Sequence, residues 1–182
     1  SEEKDSIFIF GGRYPLYLTN EFFNNKEGGI EGKVWGKKYI SIDKYQTIEN
    51  SFKKEVLNLS KDNKIILVYP IPEVGWDVPN KIWIDRKKGL NKNNYSNLTT
   101  SFKVYLNRSE TSNNLLDSID NNNIYRVYPH KLFCDLRLKG RCVTHDDKDI
   151  FYADMDHPSK KGAEMINDLI IKKIKNIEIK SN

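Results

Sequence analysis

Three short apolar runs, each stopped by a proline or a glycine pair, set the frame of this chain. Ile7-Phe8-Ile9-Phe10 ends at Gly11-Gly12, Lys64–Tyr69 ends at Pro70, and Ile124–Tyr128 ends at Pro129. Runs of this length, closed by residues that turn the backbone, predict buried strands. Between them the apolar period becomes helical. Ile48, Phe52, Val56 and Leu59 predict a helix from Thr47 to Leu59. Leu98, Phe102, Tyr105 and Leu106 predict a second, and Leu115, Leu116 and Ile119 another. Ala163, Ile166, Leu169, Ile170, Ile174 and Ile177 give a final helix one apolar face, with Ser159 as its N-cap. Ser1–Ser6 is a polar entry, and Asn24–Lys38 and Lys87–Asn97 read as surface excursions. Pro72, Gly75 and Pro79 keep Ile71–Asn80 an irregular, shaped loop.

Buried strands alternating with amphipathic helices predict an α/β fold, a parallel sheet with helices on both faces. In such sheets the chemistry sits beyond the carboxyl ends of the strands. Three segments meet that condition: Gly11-Gly12-Arg13 after the first strand, Pro70–Pro79 after the second, and the segment around Cys134 and Cys142 after the third.

Length and composition narrow the class. The 182 residues, 38% hydrophobic and 12% aromatic, suit one domain with a real core and exclude disorder. The net charge of +5 comes from lysines scattered among nearly as many acids, with no Arg-rich block or zinc-finger spacing, so nucleic acid is not the expected partner. No apolar run approaches a membrane span and no signal peptide opens the chain, so any export is arranged by something upstream. Cys134 and Cys142 flank a short polar stretch containing Gly140; the spacing suits a disulfide in an oxidising compartment and equally two reduced thiols.

The candidate chemistry is concentrated in Asp154-Met155-Asp156-His157-Pro158-Ser159-Lys160. A carboxylate three residues before an imidazole can fix the ring's tautomer and steady the imidazolium, leaving the other nitrogen to take a proton from a nucleophile. The same spacing also serves an Asp that merely closes a turn. His145, Asp146, Asp147, Asp149, Asp156 and His157 fit no calcium-loop spacing and read as a solvated acidic turn, so neither a metal nor another cofactor is expected.

Tyr152-Ala-Asp154-Met-Asp-His157-Pro-Ser159-Lys-Lys-Gly162-Ala163 resembles the last conserved block of the SGNH hydrolase superfamily. Three further stretches resemble one branch of it: Phe10-Gly-Gly-Arg13-Tyr14, the Pro-x-Pro-Glu loop in Tyr69-Pro-Ile-Pro-Glu73-Val-Gly75-Trp-Asp-Val-Pro79, and the pair Cys134 and Cys142. That branch is the SGNH domain fused to the carboxyl end of acyltransferase-three membrane proteins, and the likeness runs from about Ile7 to Ile174. The resemblance implies a three-layer αβα sandwich of the SGNH/flavodoxin-like kind and O-acyl transfer, mostly O-acetylation, on bacterial cell-surface sugars such as lipopolysaccharide or peptidoglycan. It makes His157 the general base and Asp154 its orienting partner. It implies a Cys134–Cys142 disulfide and a periplasmic or extracytoplasmic setting, tethered to the inner membrane through an upstream acyltransferase domain. The substrate would be a glycan or an acyl ester.

Two positions depart from the pattern. Pro158 stands where the family has Leu, a change the first turn of a helix accommodates. No Gly-Asp-Ser occurs, and Asp5-Ser6 precedes a strand rather than following one. Residues 1–182 therefore read as a single SGNH-like domain without its first strand and nucleophile block, a carboxyl-terminal fragment. A non-catalytic module that positions glycan is the alternative. Gly11, Gly12 and Arg13 are candidates for the oxyanion or the substrate, with a structural ion pair the competing role for Arg13. Trp76 and Tyr14 are apt for packing or for stacking on a sugar, and Glu73 reads as a loop carboxylate.

Overall fold

The computed structural model describes residues 4–32, 39–41, 46–89 and 98–181. Parts of both surface excursions, residues 33–38 and 90–97, lie outside them. The elements run β1 (Ile7–Phe10), α1 (Tyr14–Thr19), α2 (Ile48–Leu59), β2 (Lys64–Val68), α3 (Val78–Lys87), β3 (Thr99–Ser101), α4 (Phe102–Ser118), β4 (Ile124–Val127), α5 (His130–Phe133), β5 (Arg141–Val143) and α6 (Lys160–Ser181).

The three expected strands form one parallel sheet in the order β1-β2-β4, with Phe8 opposite Ile65 and Ile65 opposite Ile124. Alternate residues of the central strand β2 face opposite layers. Ile65, Leu67 and Tyr69 pack with Tyr14, Val56, Leu115, Leu116 and Ile119 from α1, α2 and the end of α4. Ile66 and Val68 pack against Ile177, with Leu169, Ile170 and Ile174 of α6 alongside. The sheet is therefore sandwiched between helices, an α/β fold with a parallel sheet as expected.

Several local expectations change. The strand β1 is an edge strand, not a buried one: Ile9 remains 47% exposed because α6 lies over β2 and β4. Ile71–Asn80 is not irregular to its end. Asp77 accepts a bond from the Asn80 backbone N–H and α3 starts at Val78, with Pro79 in its first turn, where the missing N–H costs nothing. The two helices expected between Leu98 and Ile119 are one, α4, preceded by β3. The strand β3 pairs antiparallel with β5, outside the main sheet. A third core cluster lies there, with Val78, Ile82, Tyr105, Phe133, the Cys134–Cys142 disulfide, Phe151, Tyr152 and Ile166 packed together.

Candidate active site

The turn that carries Asp154 and His157 is fixed by backbone bonds before its side chains act. Tyr152 bridges to Pro158, the Ala153 N–H donates to the His157 carbonyl at 2.9 Å, and the Ser159 N–H donates to the Phe151 carbonyl at 2.9 Å. Pro158 therefore precedes α6 rather than opening it; the bonds beside it do not need the N–H it lacks. Ser159 caps the helix, its Oγ accepting from the Gly162 N–H at 3.1 Å. From the opposite side, the N–H groups of Val74 and Gly75 both donate to the Met155 carbonyl, at 2.8 and 3.1 Å. The loop that makes those bonds is anchored in turn, since Tyr105 Oη donates to Pro70 O at 3.0 Å and Tyr152 Oη to Pro72 O at 2.7 Å. Asn25, fully buried, donates through Nδ2 to Val74 O at 3.0 Å.

On this frame His157 Nδ1 lies 2.8 Å from Asp154 Oδ2, while Asp154 Oδ1 accepts the backbone N–H groups of Asp156 at 2.9 Å and His157 at 2.8 Å. One carboxylate so fixes both the ring and the backbone beneath it. The hydrogen bond to Asp154, helped by the charge of Asp156, holds the imidazole above its ordinary pKa. Partial burial pushes Asp154 up, but the two backbone N–H bonds and the imidazole outweigh it and leave the carboxyl below its ordinary value. The His157 side chain is 72% exposed and belongs to the wall of a cleft of about 1180 Å³ at the carboxyl ends of β1 and β2.

Gly11, Gly12 and Arg13 line the same cleft, as do Tyr69, Pro70 and Glu73. Arg13 is not a spare donor for an oxyanion. Its Nε donates to Glu73 Oε1 at 2.7 Å, Nη1 to Glu31 Oε1 at 2.7 Å and Nη2 to Glu31 Oε2 at 2.5 Å. Nη2 also bonds Glu73, and Nη1 lies 3.0 Å from Asp156 Oδ2. Burial works against the guanidinium, and these carboxylates more than repay it. Nor is Glu73 a mere loop carboxylate: it is buried, and Oε2 accepts from Arg108 Nε at 2.7 Å.

The cysteine segment does not line the cleft; the disulfide sits in the core cluster behind the Asp154–His157 turn. Tyr14 is buried against Phe52 with ring centroids 5.7 Å apart, and Trp76 packs on the core beside Gly29. Among the aromatic residues in the cleft wall, Tyr17 and Tyr39 lie with ring centroids 4.7 Å apart, beside Phe22 and Tyr69, and no periodicity announced the pair. The acidic turn at His145–Asp149 closes on itself: Asp146 Oδ1 accepts from the N–H groups of Lys148 and Asp149, and Arg137 donates to Oδ2. Asp154, Asp156 and His157 do offer three ligand atoms within 4.8 Å of one another. Each already has a partner in the dyad or in Arg13.

A family model described as "SGNH domain (fused to AT3 domains)" matches residues 1–172. No curated protein and no solved structure matches the chain.

Proposed function

This chain belongs to the family of SGNH domains that are fused to AT3 domains, and on that premise we propose that it carries the acid–base half of an O-acyl transfer site. The observation behind this reading is the dyad: His157 Nδ1 held 2.8 Å from Asp154, with the ring open to the cleft. A serine from a segment of the full-length protein outside residues 1–182 enters beside β1, whose outer edge, like that of β4, pairs with no strand among the described residues and which leads directly to Gly11 and Gly12. Nε2 of His157 takes the serine proton as the oxygen attacks an acyl carbonyl, and backbone N–H groups at Gly11 and Gly12 receive the oxyanion. As the tetrahedral intermediate collapses to the acyl-serine, the imidazolium returns the proton to the departing group. A sugar hydroxyl or water then attacks the acyl-serine, again through His157. Tyr17 and Tyr39 form the wall on which an acceptor sugar ring rests.

The acyltransferase-three domain is proposed to lie in the same polypeptide, with this domain on the extracytoplasmic side, where the Cys134–Cys142 bond persists. Among the described residues no helix is long and apolar enough to cross a membrane. The test is hydrolysis of a chromogenic acetyl ester by the complete open reading frame. His157→Ala is expected to lose about 10²- to 10⁴-fold. Asp154→Asn is expected to lose less, because its carboxylate is partly exposed and water screens it. Equal rates in all three would leave a glycan-positioning module and remove the catalytic one.

A further inference from the structure

Asp154 and His157 stand on an exposed turn, with side chains 43% and 72% accessible. An ion pair so open to water is weakened by screening, even with the 2.8 Å hydrogen bond in place. Asp156, two residues on from Asp154, is different. Its side chain is 10% accessible, Oδ2 lies 3.0 Å from Arg13 Nη1, and Oδ1 lies 3.7 Å from His157 Nδ1.

We propose that Asp156, clamped by Arg13, is a positioning residue for His157, a second carboxylate that holds the Nδ1 side of the ring and so keeps Nε2 turned to the cleft. Arg13 makes an effective clamp because Glu31 and Glu73 already fix its guanidinium plane. Glu73 is fixed again by Arg108, which donates to Thr19 Oγ1 at 3.3 Å and to Glu21 O at 2.7 Å. A continuous chain of charged contacts thus runs from α4 through Arg108, Glu73, Arg13 and Asp156 to the imidazole. A charged contact is screened less when one member is partly withdrawn from water. The charged groups facing the ring are Asp154 and Asp156 on its own turn and Arg13 from the start of α1; Glu31 faces Asp156 in turn. Asp154 alone leaves the ring tethered at one oxygen. Asp156 gives that tether a less accessible backing, its side chain 10% open against 43% for Asp154.

The effect on turnover rests on the reading above, but the coupling itself is measurable without turnover. The ring protons of His157 are titrated by NMR in the 182-residue chain, as wild type and as Asp156→Asn, Asp156→Glu and Arg13→Gln. Asp156→Asn removes a negative neighbour, so the His157 midpoint moves down. Arg13→Gln removes a positive neighbour, which raises the midpoint, and unclamps Asp156, which lowers it, so Asp156→Asn is the deciding variant. Asp156→Glu moves the midpoint less than the asparagine does. If the arginine variant does not fold, the isosteric Asp156→Asn decides alone: a folded variant with a wild-type midpoint overturns the proposal. In the full-length protein, Asp156→Asn lowers kcat on an acetyl ester with KM unchanged, and Asp156→Glu restores part of it; full kcat in Asp156→Asn overturns the positioning role. Failure of the catalytic reading is a separate signature, undiminished turnover in His157→Ala.

Discussion

At the residue scale the site is two systems of different legibility. Asp154 and His157 are three positions apart, so a local turn suffices to join them, and the sequence carries that turn in full. The floor beneath them is made of long-range pairs. Arg13 reaches Glu31 across 18 residues and Glu73 across 60, and Arg108 reaches Glu73 across 35. No spacing rule links residues so far apart; only an arginine that had to be buried hinted that carboxylates would come to it. The dyad has a consequence for pH. Because Asp154 and Asp156 favour the imidazolium, His157 deprotonates above the ordinary 6.5. With His157 as the proposed general base, the neutral imidazole is the active form, so kcat/KM on an acetyl ester is expected to rise with pH through a midpoint above 6.5. In Asp154→Asn the main stabiliser of the imidazolium is gone, so the midpoint falls and the plateau drops with it. A pH–rate profile of the full-length protein checks both; a variant midpoint at or above that of wild type contradicts this assignment of the base.

At the element scale, apolar runs and caps were readable where each residue had one job. The strands β1, β2 and β4 and the helix α6 follow the hydrophobic pattern closely. The helix α4 was split because Arg108–Asn114 is polar. Yet Ser109 and Ser112 are buried, small enough for a helix face to pack closely despite their hydroxyls. The start of α3 was hidden by Pro79, which breaks a helix interior but suits its first turn. Two sites test how elements are joined. A Cβ on Gly162 would lie 2.1 Å from the Phe151 carbonyl oxygen, where α6 begins against the strand-like approach to the dyad. Gly162→Ala is therefore expected to cost about 1–3 kcal/mol, an overpacking penalty, despite alanine's better helix propensity. A thermal melt several degrees below wild type checks it, and an unchanged melt contradicts that packing. The Cys134–Cys142 bond closes a loop of sequence separation 8 and ties α5 to β5 behind the dyad. Its removal by Cys134→Ala/Cys142→Ala is expected to cost about 2–3 kcal/mol by loop entropy. That corresponds to roughly 4–12 °C in Tm for a domain of this size, with the His157 environment less affected than global stability because the disulfide does not line the cleft.

At the scale of the molecule, the informative asymmetry is between the two sides of β1. One side pairs with β2 in parallel register from Ile7–Lys64 to Phe10–Leu67. The other carries no strand among the described residues, and Ile9 is half open on the same side of the pleat as Ile7. Natural sheets seldom leave an apolar edge bare without charge, proline or a covering element, and Ile7-Phe8-Ile9-Phe10 has none of the first two. The hydrophobic pattern alone did not distinguish this edge from a buried strand, because Ile7-Phe8-Ile9-Phe10 is as apolar as an interior strand. The cleft with Gly11, Gly12 and His157 opens at the carboxyl end of this same edge, the place where a serine following a further parallel strand is proposed to stand. Hydrogen exchange resolves the question. In the 182-residue chain the outward N–H groups of β1 are expected to exchange rapidly, while those of Ile65, Ile66 and Leu67, flanked on both sides, approach the global limit. In the full-length protein the outward amides of β1 are expected to gain protection. Protection of β1 that is identical in both forms would place the proposed serine elsewhere, because a strand cannot pair with this edge and leave its amides open to water.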